Sequence, residues 1–152
     1  MNSFSHSQSF ALARAMCEAR DWSISNLALQ KSIYIADMVH MGRHGAPITS
    51  EKFEAWDYGP VLPSVYGRAR IFGNSPVEDI IFPDVGGLDD VALNVVREVA
   101  AFVSKFTPGQ LVNMTHSPEG AWAKYYKPGY MHLSIPKEAE ADEFRRRRAK
   151  EG

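Results

Sequence analysis

The sequence has a single cysteine, Cys17, which excludes an intrachain disulfide and any zinc site built on a cysteine cluster. It also has no excess of charge. Its 17 basic and 18 acidic residues leave a formal net charge of −1, so broad electrostatic capture of nucleic acid is not expected. No apolar run approaches the ~18 residues of a membrane-spanning helix. The opening MNSFSHSQSF has no basic region followed by an apolar run, so no signal peptide is expected and a cytoplasmic protein is the default. Neither GxGxxG nor GxxxxGK followed by Ser or Thr occurs, which removes the common phosphate-binding fingerprints. There is no internal repeat and no long low-complexity linker. With 152 residues, 45% of them hydrophobic, the chain suits one domain, 1–152, with its own core.

Residues 1–8 are polar and expected to be frayed. From about Ser9 to Ala19, Phe10, Ala13, Met16 and Cys17 form one helical stripe, which makes Cys17 a buried thiol. Ser25 is a candidate N-cap for a helix from Asn26 to about Gly42. Leu27, Ile33, Tyr34, Met38 and Met41 make that helix apolar around most of its circumference, as a central helix would be. Gly42 and Gly45 both offer C-terminal turn geometry, and Pro47 blocks continuation. Phe53 to Trp56 alternates as a short strand, and Asp57-Tyr58-Gly59-Pro60 reads as a tight reversal. Pro63 suits the first position of a helix ending near Phe72-Gly73. Residues 73–88 read as an irregular crossing with Ile80-Ile81 as a short extended anchor.

Asp89 and Asp90 suit the start of a second core helix that runs to Phe106. Thr107-Pro108-Gly109-Gln110 has the composition of a capping box, and Ser117-Pro118 repeats the cap-plus-proline logic before Trp122. Residues 130–135 read as a second strand that pairs with the Phe53 region. Pro136 opens a charged terminal helix, 137–152, acidic early and carrying Arg145 to Arg148 late. The expected fold is mainly α (α+β): a compact helical domain of about six helices with a small two- or three-stranded antiparallel element.

Catalytic patterns are sparse. His40 and His44 have the i,i+4 spacing of a metal pair, but Met41-Gly42-Arg43 lies between them without the glutamate of HExxH, and no metal or cofactor is expected. His116 and Ser117 are adjacent, which is not catalytic geometry. An enzyme would need Asp37, Glu54 or His116 to converge in a pocket. A buried network joining Lys31 or His116 to a carboxylate would specify tertiary arrangement. Four consecutive arginines can meet phosphate, but Glu138, Glu140, Asp142 and Glu143 interrupt the positive face. A solvated helix or an acidic-partner contact is the plainer reading.

Three ordered blocks carry a family resemblance. The first is Leu29-Gln30-Lys31 with Tyr34. The second is Phe53, Ala55, Trp56, Tyr58, Gly59, Pro60, Val61, Pro63, Val65 and Tyr66. The third is Leu111, Thr115-His116 and Trp122. Over roughly residues 25–126 the chain resembles the SocA-like antitoxin, or Panacea domain, family, which takes in GepA-like phage-associated proteins. It departs from the family pattern at Ser32 and between Phe72 and Leu88. The resemblance implies a mostly helical domain, without catalytic residues, that neutralises a cognate protein toxin by contact. In some members it implies delivery of the toxin to an ATP-dependent protease or its unfoldase. The signature residues read as structural. Arg43, Arg68, Arg70, Arg145, Arg146, Arg147 and Arg148 are candidate partner contacts on chemical grounds alone. The alternative is a nucleic-acid-binding regulator that uses the arginine run.

Overall fold

Ser25 fixes the start of the helix on which the other elements pack. Its hydroxyl accepts the Ala28 N–H at the N-cap of α2, Asn26–His44. The structure, a computed structural model, describes residues 3–79, 82 and 86–151, with side chains from residue 6. Most of α2 is buried, including the polar Asn26, Gln30, Lys31, Ser32, Asp37 and His40. A helix covered on every side must find partners for such groups, and those partners organise the molecule.

Gly42 does not end this helix. Two further residues follow it, and Gly45 closes α2 in the left-handed region at φ 73°, its N–H on the Met41 carbonyl. A side chain at 42 would overlap the ring of Phe144 from the last helix, so Gly42 marks a close crossing. The first helix, α1, spans Ser3–Ala19. It begins before the apolar stripe, because Gln8 accepts the Ser50 N–H and the buried Ser9 meets Thr49 and Glu51. The turn after α1 holds Asp21 and Trp22 at φ 53° and 54°.

Strands β1, Glu54–Trp56, and β2, Gly59–Val61, form an antiparallel hairpin with Trp56 opposite Gly59. The expected reversal is thus shorter than 57–60. Asp57 and Tyr58 make the turn, and Gly59-Pro60 belongs to the strand. Residues 130–135 do not form a strand. Two backbone bonds, Ala55 N to Leu133 O and Ile135 N to Phe53 O, surround one isolated bridge at Glu54 and Ser134. Pro136 follows at once and has no N–H to continue the ladder.

Helix α3, Pro63–Ala69, runs into a 3-10 turn at Arg70–Phe72. Glu51 supplies the missing cap of α3 by accepting the Ser64 N–H and hydroxyl. In the crossing that follows, Val77 N bonds Ile24 O and the buried Phe82 receives Arg14 on its carbonyl. The expected Ile80-Ile81 anchor lies outside the described residues, as do Met1 and Asn2.

Helix α4, Asp90–Val103, is capped by Asp89 and stops short of Phe106, because residues 104–106 turn back into the Thr107 cap. Helix α5, Pro108–Thr115, has the full capping box between Thr107 and Gln110. The next helix, α6, is Ala121–Tyr125 and starts later than Pro118. Ser117 donates to the Glu119 carboxylate instead, and the Gly120 N–H closes a turn on the Ser117 carbonyl. Helix α7, Lys137–Glu151, buries Ala139, Glu140, Ala141 and Glu143. The fold among the described residues is therefore mainly helical: seven α-helices and a two-stranded antiparallel sheet. No described helix is long and apolar enough to cross a membrane.

Candidate partner-binding site

Gln30 and Lys31 are neighbours on α2 and reach opposite ends of the same strand segment. Gln30 Nε2 is held by Asn26 Oδ1 at 3.0 Å, which leaves its Oε1 to accept the Leu62 N–H at 2.8 Å. Lys31 Nζ donates to the Pro60 carbonyl at 3.1 Å. Side chains of the central helix thus bracket Pro60-Val61-Leu62, which fixes the hairpin without a third strand. Gly59 completes the fit. At φ 114° it lies in a region disfavoured for L side chains, and a Cβ there would stand 2.9 Å from both Lys31 Cε and Thr115 Oγ1. The Leu-Gln-Lys and Tyr-Gly-Pro-Val signatures are two halves of one clamp.

Lys31 is 1% exposed. Its one acceptor among the described residues is a carbonyl, and burial pushes its pKa down to about 7. No described carboxylate lies within ion-pair distance, so the network expected between Lys31 or His116 and a carboxylate does not form. His116 is instead stacked on Trp122, with centroids 3.8 Å apart and planes 4° from parallel. Burial, and then the Lys31 charge, lower its pKa, and its Nε2 has no partner among the described residues. Trp122 continues the stack to Tyr126 and donates Nε1–H to the Trp56 carbonyl at 2.6 Å. The Tyr126 hydroxyl donates to Asp57 at 2.6 Å. Aromatic stacking therefore ties α6 to the end of α5, and two hydrogen bonds tie it to the hairpin.

A pocket of about 470 Å³ lies between α2, the hairpin and the 3-10 turn. Buried Gln30 and Lys31 form its inner end, Trp56 and Tyr66 its wall, and exposed Tyr58 and Arg70 its mouth. Trp56 and Tyr66 meet edge to face, with centroids 4.9 Å apart.

The carboxylate network sits elsewhere and holds α7. Asp37 accepts the Ile48 and Thr49 N–H groups and pairs with Lys137 at 2.8 Å. Burial, and then the Asp37 charge, hold the Glu140 carboxyl well above the usual range. Glu143 accepts the Tyr34 hydroxyl at 2.6 Å, the Ala121 N–H at 3.0 Å and Arg147 Nε at 2.8 Å. Arg147 also donates to the Met114 carbonyl. The arginine run is consequently divided. Arg147 faces inward, Arg145 meets Asp142, Arg146 meets the Glu119 carbonyl, and Arg148 lies over Phe144.

The remaining candidate contacts are scattered. Arg43 forms a two-pronged pair with Glu98 at 2.9 and 2.7 Å, and Arg68 lies 4.3 Å over the Phe10 ring. Arg70 lines the pocket. Asp37, Glu54 and His116 have separate partners, and no hydrogen bond or ion pair joins them. His40 bonds the Ala46 carbonyl, and no three His, Cys, Asp or Glu side chains are grouped for a metal among the described residues. Sequence reasoning missed the roles of Glu51 and Glu143. Each acts across a large sequence separation, with no local pattern to reveal it.

The family model described as "Antitoxin SocA-like, Panacea domain" matches residues 29–123, from the clamp on α2 through the aromatic stack on α6. The chain is 32% identical over 118 residues to "Antitoxin SocA" of Caulobacter vibrioides (strain NA1000 / CB15N). That alignment covers 68% of this chain and 61% of the relative's length. No solved structure matches the chain.

Proposed function

Because the chain belongs to the SocA-like antitoxin, Panacea domain, family, we propose that it neutralises a cognate protein toxin by direct contact. The observation that carries this reading is the position of the match. Residues 29–123 take in the Lys31 clamp, the hairpin and the His116–Trp122 pair, so the likeness falls on the groups that hold the hairpin in place. Family membership and the separate placement of Asp37, Glu54 and His116 are consistent with a role without catalysis. A preformed surface with aromatic and arginine anchors suits tight protein contact.

Coexpression with each adjacent small open reading frame tests the proposal. One product should arrest growth alone, be tolerated with this chain, and copurify with it. If no product is both bound and counteracted, the antitoxin reading fails. Toxin lifetime then separates two forms of the mechanism. Simple occlusion leaves the bound toxin as long-lived as the free toxin, whereas delivery to an ATP-dependent protease shortens its lifetime when this chain is present.

A further inference from the structure

Among the described residues, Lys31, Lys137 and Arg147 extend inward from their helices, and the last two meet carboxylates. Lys137 pairs with Asp37 and Glu140, and Arg147 pairs with Glu143. Lys31 differs. One of its three ammonium N–H groups meets the Pro60 carbonyl, and the other two have no acceptor among the described residues. An unpaired buried cation is costly, and a carboxylate brought to it is favoured in proportion. Lys31 lines the hairpin pocket, whose mouth carries Arg70, a guanidinium in no ion pair among the described residues. The acid at that mouth, Asp57, already accepts the Tyr126 hydroxyl. The pocket therefore presents the Arg70 guanidinium at its mouth and, at its inner end, the Lys31 amine, which an incoming carboxylate would hold in its charged form.

Its apolar features are as specific. Leu27, Trp56, Val61 and Tyr66 supply the lining. Tyr58 and Met131 stand at the mouth, 70% and 52% exposed, and Ile71, 72% exposed, follows Arg70 in the 3-10 turn. Two of the six large exposed apolar side chains among the described residues, Tyr58 and Met131, thus line this pocket, and a third, Ile71, is next in sequence to Arg70. A rim of exposed apolar groups around a cationic pocket suits a protein segment better than a small ligand, which the pocket alone would cover. The clamp holds the hairpin in place beforehand, so little ordering opposes binding.

We propose that this pocket is where the toxin docks, taking an apolar side chain between Tyr58, Trp56 and Tyr66 with an adjacent toxin carboxylate directed at Lys31 and Arg70. The proposal rests on the antitoxin reading and adds the surface and the chemistry of the partner segment. The divided arginine run of α7 lies outside it.

The test uses the purified product of the open reading frame that this chain counteracts, titrated against wild type and three mouth variants: Tyr58→Asp, Met131→Asp and Arg70→Glu. All three positions are exposed, and circular dichroism checks that each variant is folded. Each should weaken binding at least tenfold and abolish growth rescue, while the triple change of Arg145, Arg146 and Arg148 to Ala stays within twofold of wild type. Replacing the toxin's Asp and Glu residues singly by Asn and Gln should reveal one whose loss weakens binding and has little further effect beside Arg70→Glu. If wild type rescues growth and the mouth variants bind as tightly, the docking site is wrong and the antitoxin reading stands. If the mouth variants fail but no toxin carboxylate couples to Arg70, the ionic half of the proposal is overturned. If wild type rescues nothing, both readings fall.

Discussion

Lys31 enters the core from the second turn of α2 and meets a carbonyl where a carboxylate would neutralise its charge. Its pKa of about 7 fixes the sign of a pH effect. Between pH 7 and 9 the unfolded chain keeps the lysine proton while the folded chain has shed it. The unfolded state then binds more protons, so stability rises with pH, by up to ~1.4 kcal/mol per unit. The window closes near pH 9, where Cys17 acts in the opposite direction. Burial lifts its thiol to about 12, so the unfolded chain loses that proton first and stability falls. Urea midpoints at pH 7, 8 and 9 should show wild type gaining on Lys31→Met across the window. A constant difference between the two proteins would remove the unpaired-cation assignment. Gly59→Ala tests the same contact from the strand side. Positive φ costs about 1–3 kcal/mol for a non-glycine residue, and the new Cβ also crowds Lys31 and Thr115. Denaturant unfolding should show a loss of at least about 2 kcal/mol, and a variant as stable as wild type would mean that the strand does not need this conformation.

Elements whose signals are local were legible in the sequence. The Ser25 cap, the Thr107–Gln110 capping box and the Pro63 start of α3 each depend on residues within one turn of each other. Elements decided at a distance were not. Composition makes α7 a solvated charged helix, yet Glu140 is buried beside Asp37 of α2, and Glu143 is buried where Tyr34 and Ala121 bring donors from other elements. The candidate site divides in the same way. Its Trp56, Tyr58, Val61 and Tyr66 stood out in the second family block, whereas the pocket they share with Arg70 and Met131 exists only once the hairpin is clamped. Gly42 was misread for a related reason. Helix-ending glycine and helix-crossing glycine look alike until the opposing residue is known, and here that residue is Phe144. A mid-helix Gly→Ala change normally stabilises by about 1 kcal/mol. Gly42→Ala should instead destabilise by about 1–3 kcal/mol through overpacking. In a Phe144→Ala background the same change should turn neutral or stabilising. Chemical denaturation of the four proteins gives the cycle, and simple additivity would show that the α2–α7 crossing is not set by this pair.

At the scale of the whole molecule, α2 packs against α1, α3, α4, α5, α7 and β2, so each depends on the same helix for its apolar contacts. The polar ties follow the same plan. Gln30 and Lys31 hold the hairpin, Asp37 holds the 48–49 turn and Lys137, and Tyr34 reaches Glu143. None of the elements packed on α2 could leave without stripping buried groups from it, and an unpartnered buried group costs about 1–3 kcal/mol, more when charged. The expected behaviour is one cooperative transition over residues 1–152, with α7 melting together with the core. The three tryptophans sit on different elements, Trp22 in the turn after α1, Trp56 in β1 and Trp122 in α6, and only the last two are in contact. Three single-tryptophan proteins, the other two positions changed to Phe, should give urea midpoints that agree with that variant's own far-UV circular dichroism. A separable α7 would behave differently, since its 15 helical residues would be lost from the dichroism before Trp122 changed its emission. Glu143→Ala supplies the contrast. It leaves Tyr34, Ala121 and Arg147 without their shared acceptor, and breaking such a buried pair costs about 3–5 kcal/mol. In a cooperative molecule that loss lowers the Trp22 midpoint as much as the Trp122 midpoint, although Trp22 lies outside this network. A shift confined to Trp122 would divide the molecule into two units and place the α6–α7 corner outside the core.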